Sequence, residues 1–330
     1  MIRVVTYEDR PNASIGVELL ALSLLRHAPE LSLEVHSPLE EVGKRLADLP
    51  NVYWVLTDDL IGQGWNTKPT VILRALEKSE RVFWLDTDVI ISGPLKPLLA
   101  RIPPGTVAVG TEYPDPKGFG SRARAMGQGL TAARSLPHSV NSGTLSLDRS
   151  HRTLLRFWRD AVNQDAYLEA QNCPAQTREI AFGGDQDVLW AALVSEQFVA
   201  IPVHHFRLGH ELILQEGANR FHVRDRLIVL RGARPSLVHM LGQYKPWDFL
   251  CDDKKPQTFR EYMHRMIFET SPYFFEAVKY TDYMESLKTR DGETFTARAI
   301  KFVVPNSPAL QGFIFALIAW GLSKLQTRGQ

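Results

Sequence analysis

Cysteine is scarce in this chain, with only Cys173 and Cys251 among 330 residues. Two cysteines cannot build the disulfide framework of a small secreted domain, and such scarcity is typical of a reducing compartment. The first ten residues, MIRVVTYEDR, also lack the basic, apolar and small-residue order of a signal peptide. We therefore expect a cytoplasmic protein.

The chain also lacks an excess of charge and the common phosphate-binding loops. Its 38 basic and 37 acidic residues leave a formal net charge of +1, so no overall field draws it to nucleic acid. A glycine-rich dinucleotide turn after the first strand and a P-loop are both missing, which disfavours Rossmann-type dinucleotide binding and P-loop chemistry. Any anion site must be local.

What the chain does have is a regular alternation of apolar strands and helices. With 44% hydrophobic and 23% charged residues it can bury a large core. Strands are predicted at 2–6, 31–36 and 51–56, and helices over 12–28, 39–49 and 68–78. Alternation of this kind predicts an α/β fold with a Rossmann-like, mixed central sheet flanked by helices.

The most informative segment is RVFWLDTDVIIS, residues 81–92. Its continuous apolar run predicts a strand buried on both faces, and Asp86 and Asp88 follow at the strand end. Buried carboxylates need a positive partner, and Mg²⁺ or Mn²⁺ takes such oxygen ligands. The alternative is an ordinary turn after a strand, for which Asp-x-Asp is equally suitable.

Further along, residues 111–139 lack a regular pattern and are predicted to be a loop, functional or mobile. A strand is predicted over 140–147, beginning near Asn141. A single helix is predicted over 149–171. In Gly183-Gly184-Asp185-Gln186-Asp187 the glycines would let backbone approach a ligand, and Asp185 is predicted to cap a helix.

Two later segments carry further predictions. A strand is predicted at 226–230, and a second one delivers His239, after which a glycine turn presents Lys245. Imidazole and two carboxylates make a plausible Mn²⁺ set, and a lysine can meet a phosphate. The tail, 310–325, is apolar on nearly every side but too short to span a bilayer, so it should pack internally, pair with another chain or lie in a membrane interface.

Four motifs, LDTD, VNSG, GGDQDVL and VHMLGQYKPW, occur in the order and spacing of glycosyltransferase family 8, which the chain resembles. The resemblance implies a GT-A fold, a UDP-sugar donor, Mn²⁺ (or Mg²⁺) and transfer of a hexose with retention of anomeric configuration. The acceptor would be a hydroxyl of a glycan or a lipid-linked glycan. The resemblance covers residues 1–250, the expected catalytic domain, and leaves 251–330 as a helical extension. From its apolar character alone, we expect 310–325 to favour peripheral association at the inner face of a membrane.

The resemblance also assigns roles to residues. The metal ligands would be Asp86, Asp88 and His239. Gln186 would face the anomeric carbon, with Asp185 as its catalytic neighbour. The positions expected to contact the sugar nucleotide are Lys68, Asn141, Asp187, Gly242 and Lys245.

Three other functions stay open at this level. An inverting GT-A glycosyltransferase would use Asp185 or Asp187 as a base toward the acceptor hydroxyl. A nucleotidyltransferase also uses a metal at a sheet end, although the loop TYEDRPNAS lacks the glycine-rich basic pattern expected of one. A non-catalytic module that binds a sugar nucleotide would keep the same fold.

Overall fold

The computed structural model describes residues 1–60, 62, 64–216, 221–242, 244–250, 257–280, 282–283, 294–304 and 307–318. The chain divides into two compact units that interleave along the sequence. The first unit comprises 1–14, 29–87 and 96–206, and the second comprises 15–28, 88–95 and 207–330. The expected catalytic domain, 1–250, therefore contains segments of both units.

The strands and helices are numbered in chain order. The strands are β1 (Ile2–Tyr7), β2 (Leu33–Ser37), β3 (Val52–Leu56), β4 (Arg81–Leu85), β5 (Val89–Ile91), β6 (Val107–Gly110), β7 (Asn141–Asp148), β8 (Val203–His205), β9 (Leu212–Gln215) and β10 (Leu237–Met240). The helices are α1 (Ser14–His27), α2 (Glu40–Leu46), α3 (Lys68–Lys78), α4 (Leu95–Leu99), α5 (Phe119–Gly127), α6 (Arg152–Ala161), α7 (Asp165–Gln171), α8 (Asp185–Val194), α9 (Val223–Leu230), α10 (Pro246–Leu250), α11 (Phe259–Glu269), α12 (Pro272–Ala277), α13 (Phe295–Val303) and α14 (Pro308–Gln311).

The first unit is built on a seven-stranded sheet in the order β3-β2-β1-β4-β7-β6-β8. Strand β7 runs antiparallel to both of its neighbours, β4 and β6, whereas the other pairs are parallel. Helices α3, α6 and α8 cover one face and share a core with β4 and β7 that includes Trp84, Leu145 and Trp158. The predicted α/β architecture, with a mixed central sheet flanked by helices, is confirmed.

The second unit has a smaller sheet in the order β5-β10-β9, in which β10 is antiparallel to β5 and parallel to β9. Helix α12 packs against all three strands. Helix α1 is tied to this unit by two contacts, from Ser23 Oγ to the Ile91 N–H at 3.1 Å and from His27 Nε2 to Glu276 Oε1 at 2.9 Å.

Several local predictions are wrong. The predicted strand at 226–230 belongs to helix α9, because the four-residue apolar run 227–230 has the same pattern in a strand and in a buried helix. The irregular segment 111–139 contains helix α5. The predicted helix 149–171 is interrupted, and α6 ends at Ala161 before α7 begins at Asp165.

The C-terminal tail is described in part. Helix α14 is followed by a helical segment at 313–318, whereas 319–325 of the predicted helix 310–325 lie outside the described residues. Ala316 is buried, but Ile314, Leu317 and Ile318 are exposed. No helix within the described ranges has both the length and the hydropathy of a membrane span.

Candidate active site

Asp86 lies at the carboxyl end of β4, in the first unit. Residues Val82 to Leu85 are buried, which fixes this strand between β1 and β7. The Asp86 carboxylate accepts a hydrogen bond from Trp84 Nε1 at 2.7 Å, and its backbone N–H donates to the Gly143 carbonyl at 2.8 Å. The carboxylate is therefore held at the edge of the sheet where α/β proteins bind ligands.

Lys68, the first residue of α3, links two carboxylates of this unit. Its ammonium lies 3.1 Å from Asp86 Oδ1 and 3.3 Å from Asp185 Oδ2, and it donates to Ser142 Oγ at 2.9 Å. Burial opposes the charge of Lys68, but Asp185 and Asp86 outweigh it and raise its pKa. Lys68 is therefore a buried cation that balances the negative charge of the site.

Asp185 begins α8, and its N-cap is Gly184, so the predicted capping role of Asp185 is wrong. The cap position has extended backbone, and the Asp185 carboxylate instead accepts from Ser142 Oγ at 2.8 Å and faces Lys68. Its backbone carbonyl accepts from Trp158 Nε1 at 2.8 Å. Burial raises the pKa of Asp185 despite the attraction of Lys68.

Asn141 and Gln186 are brought together at the start of β7 and α8. Asn141 Nδ2 donates to Glu112 Oε1 at 2.7 Å and contacts Gln186 Oε1 at 3.3 Å. Asn141 Oδ1 accepts from the Gly143 N–H at 3.0 Å, which fixes the orientation of the amide. Glu112 was missed in the sequence because it lies in the irregular segment after β6, where no periodic pattern marks it.

Asp187 is engaged by Arg124 of α5. Arg124 Nε lies 2.5 Å from Asp187 Oδ1, and the guanidinium stacks 4.1 Å from the centroid of the Trp190 ring. Burial raises the pKa of Asp187 although Arg124 opposes this. Gly183 leaves room for this carboxylate, since a Cβ would lie 2.6 Å from Asp187 Oδ2 and displace it.

Asp88, His239 and Lys245 lie together within the second unit. Strands β5 and β10 pair Val89 with His239, which places the imidazole beside the preceding carboxylate. His239 Nε2 lies 3.1 Å from Asp88 Oδ1, and Lys245 Nζ lies 2.7 Å from Asp88 Oδ2. Burial would raise the pKa of Asp88, but Lys245 and His239 lower it below its usual range. Asp88 is therefore a buried anion held by two basic groups.

Gly242 gives the turn between His239 and Lys245 its shape. Its φ of +93° is a conformation that L side chains rarely adopt, and a Cβ there would lie 2.7 Å from Glu216 Cγ. The turn ends where the Lys245 N–H donates to Asp248 Oδ2 at 2.7 Å, at the start of α10. The glycine in this position therefore allows the lysine to return toward Asp88.

Asp86 and Asp88 belong to different units, but only Thr87 separates them. Two residues of extended chain span about 7 Å, so covalent connectivity alone keeps the carboxylates near each other. Asp86, Asp88 and His239 together offer three ligand atoms of the kinds that hold a divalent cation. This donor set fits Mn²⁺ or Mg²⁺.

A separate groove of about 1000 Å³ lies at the opposite, amino end of β1 and β4 in the first unit. It contains none of the predicted site residues. Four of its charged lining residues are paired with each other, Arg81 with Asp148 at 3.8 Å and Arg149 with Glu80 at 2.7 Å. The carboxyl end of β4, where the acidic and amide side chains converge, is therefore the better candidate for chemistry.

Comparison with known proteins gives a structural likeness only. No family model matches the chain. No curated protein matches it either. Among solved structures, the apo form of the bifunctional glycosyltransferase WbbM is similar at 13% identity and a TM-score of 0.48, over 84% of this chain and 51% of that chain. The chain thus spans about half the length of WbbM.

Two further structures are similar at the same level. The galactosyltransferase LgtC, in complex with donor and acceptor sugar analogs, has 15% identity and a TM-score of 0.47, over 91% of this chain and 99% of its own. Mouse xyloside xylosyltransferase 1 has 14% identity and a TM-score of 0.44, over 72% and 97%. All three are glycosyltransferases, the class that the sequence motifs predicted. At these TM-scores, the function of this chain has to rest on its own residues.

Proposed function

We propose that this protein is a metal-dependent glycosyltransferase that moves a hexose from a UDP-sugar to a hydroxyl of a glycan or glycolipid acceptor, with retention of anomeric configuration. The observation that carries the proposal is the buried Asp88, flanked by His239 and Lys245 and one residue away from Asp86. Burial of a carboxylate with two basic groups has a desolvation cost, and ionisable groups perturbed in this way cluster at functional sites.

Asp86, Asp88 and His239 would hold a divalent cation, Mn²⁺ or Mg²⁺. When bound, such an ion supplies positive charge that stabilises the diphosphate leaving group. Lys245 forms an ion pair with the same carboxylate. Its ammonium would exchange Asp88 for a phosphate oxygen of the donor. The turn at Gly242 directs Lys245 toward Asp88, which would place its ammonium close to a phosphate bound there.

The sugar would be bound by the first unit. Asn141, Glu112 and Gln186 form a chain of amide and carboxylate groups that suits sugar hydroxyls, and Gln186 would face the reacting carbon. Asp185 would accept hydrogen bonds from the sugar while it faces the ammonium of Lys68. These groups bind and orient the donor, and Gln186 stabilises positive charge on the sugar without attacking it.

The ion pairs of Asp185 and Asp187, at the start of α8, favour retention over inversion. An inverting enzyme needs a free base near the acceptor hydroxyl. Asp185 is paired with Lys68 and Ser142, and Asp187 with Arg124, so each carboxylate already has strong partners. Retention avoids this requirement, because the leaving phosphate can accept the proton.

The first experiment is a screen of sugar nucleotides by calorimetry, with Mn²⁺ present and absent. The native chain should bind a UDP-sugar only with the ion. Asp88→Asn, alone or with Asp86→Asn, should abolish this binding, whereas Asp59→Asn, a change to a solvent-exposed carboxylate paired with Arg74, should leave it unchanged. Undiminished binding by the double variant would refute the metal assignment.

The stereochemistry needs a second measurement. With a simple acceptor, NMR of the product should show the anomeric configuration of the donor. An inverted product would favour the inverting alternative, and Glu112 would then be the carboxylate to replace, since Asp185 and Asp187 are paired. Donor binding without transfer or donor hydrolysis would favour a non-catalytic module.

We also propose that the end of the second unit rests on an anionic membrane, at its cytoplasmic face, where a lipid-linked acceptor would be reached. Phe302 and Val303 of α13 are 88% and 76% exposed, and Ile314 and Ile318 are 58% and 56% exposed. Arg298 is exposed on α13 as well. Apolar side chains beside a cationic one suit an interface of acyl chains and anionic headgroups.

Vesicle sedimentation tests this association. The native chain should sediment with anionic vesicles and much less with neutral ones, and Ile314→Ser with Ile318→Ser, at exposed positions after α14, should leave a folded, active protein that stays in solution. Phe302→Ser should weaken sedimentation, whereas Leu227→Ser, at an exposed apolar position of α9, should not. Unfolding of the Ile314→Ser, Ile318→Ser variant, with no vesicle binding by the native chain, would instead indicate a core segment.

A further inference from the structure

Several buried polar atoms of the second unit have no hydrogen-bond partner among the described residues, and two of them belong to His239 and Tyr273. One is His239 Nδ1, the ring nitrogen that does not face Asp88. The other is the hydroxyl of Tyr273, in α12, whose side chain is 0% exposed. Buried polar groups are nearly always paired, so each of these atoms needs an explanation.

The fold brings the two groups to the same sheet. Tyr273 belongs to α12, which packs against β5, β9 and β10, and His239 lies on β10 next to β5. Burial, together with the negative charge of Asp88, raises the pKa of Tyr273 well above its ordinary value. The phenol and the imidazole therefore belong to elements that pack directly on each other, α12 and β10.

We propose that Tyr273 is a positioning residue of the metal site, an inference that rests on the proposed function. A histidine that binds a cation through Nε2 carries its hydrogen on Nδ1, and such histidines almost always donate that hydrogen to a second group. The Tyr273 oxygen accepts it across one buried water, since the two atoms make no direct hydrogen bond. Helix α12, which lies outside the region of motif resemblance, then fixes the ring and tautomer of His239.

The test measures Mn²⁺ affinity of the full chain by electron paramagnetic resonance of the free ion, without donor or acceptor. Tyr273→Phe removes only the hydroxyl and should weaken Mn²⁺ binding by about tenfold, the lower end of the effect of such outer partners. The matched control is Tyr280→Phe, in the same segment, whose buried hydroxyl donates to Glu276 Oε1 at 2.9 Å. The control should lower Tm and leave Mn²⁺ affinity unchanged.

The outcomes separate the inference from the function. Equal Mn²⁺ affinity in the native chain and in Tyr273→Phe, with a raised Tm of the variant, would overturn the inference, because the hydroxyl would then be only an unsatisfied buried group. No Mn²⁺ binding by the native chain would overturn the metal site as well. An independent check is NMR of ¹⁵N-histidine-labelled native chain with Mg²⁺: a protected Nδ1–H signal of His239 is expected, and its absence would contradict the proposal.

Discussion

Replacement of Lys68 by methionine tests whether one buried cation balances the charge of the first unit. Lys68 is 3% exposed and faces two carboxylates, those of Asp86 and Asp185. Methionine has a similar length and no charge, so the variant keeps the packing on Trp84 and loses the ion pairs. The folded state would then contain two carboxylates without their cation.

The magnitude follows from distance and burial. Attraction across 3.3 Å at an effective dielectric constant of 20 amounts to about 5 kcal/mol, and desolvation of both charges offsets part of it. Loss of one partner from a buried pair costs about 3–5 kcal/mol. The Asp86 side chain is 31% exposed, so water can solvate its carboxylate once Lys68 is lost, whereas the Asp185 side chain is only 9% exposed. We therefore expect about 3 kcal/mol, the lower end of that range, mostly from Asp185.

The pH dependence has a definite sign. Burial already raises the pKa of Asp185, and loss of Lys68 raises it further. Between the unfolded and folded pKa values the folded state then holds more protons, so the free energy of unfolding falls as pH rises through that window. The destabilisation of Lys68→Met should accordingly be larger at neutral than at acidic pH.

Urea unfolding followed by tryptophan fluorescence measures these changes. Asp185→Asn in the Lys68→Met background should recover much of the lost free energy of unfolding, because it removes the unpaired charge. Arg74→Met, which breaks the exposed pair with Asp59, should leave the midpoint unchanged. Equal stability of Lys68→Met and the native chain, or no recovery in the double variant, would refute the reasoning.

Three other predictions concern different contacts. Gln186→Ala should lower kcat with little change in UDP affinity by calorimetry, and a collapse of UDP affinity would show that Gln186 contacts the nucleotide. Arg124→Met should lower Tm by leaving the buried Asp187 unpaired, and an unchanged Tm would contradict this pairing. Burial disfavours the charge of Glu276, but His27, Lys279 and Tyr280 together lower its pKa. Its contribution to the free energy of unfolding should therefore be lost as pH falls below the ordinary pKa of 4.5. In urea unfolding, Glu276→Gln should reduce this loss of stability at acidic pH.

The sequence alone determined the elements that depend on local pattern. The apolar run 82–85 forms the buried strand β4, and the periodic segment 68–78 forms α3 with the predicted bounds. The adjacency of Asp86 and Asp88 is covalent and needs no fold. Such features are encoded by neighbouring residues, which a single sequence displays directly.

The conformation of short apolar runs and of irregular segments depends on the tertiary structure. Residues 226–230 are helical because the buried Arg226 donates to the Phe221 carbonyl and to carbonyls of α14, partners that no local pattern indicates. Helix α5 arises in a glycine- and arginine-rich segment with weak periodicity. It is held by Arg124, whose partner Asp187 lies 63 residues further along the chain.

The ion-pair partner of each site residue could likewise not be predicted from the sequence. The motif pattern selects Lys68, Asp185 and Asp187, but only the fold decides that Lys68 links Asp86 with Asp185 while Arg124 takes Asp187. Whether a carboxylate is free to act as a base depends on burial and on the cations within a few ångströms. Those cations come from distant segments, because electrostatic energy depends on distance in space and not on distance along the chain.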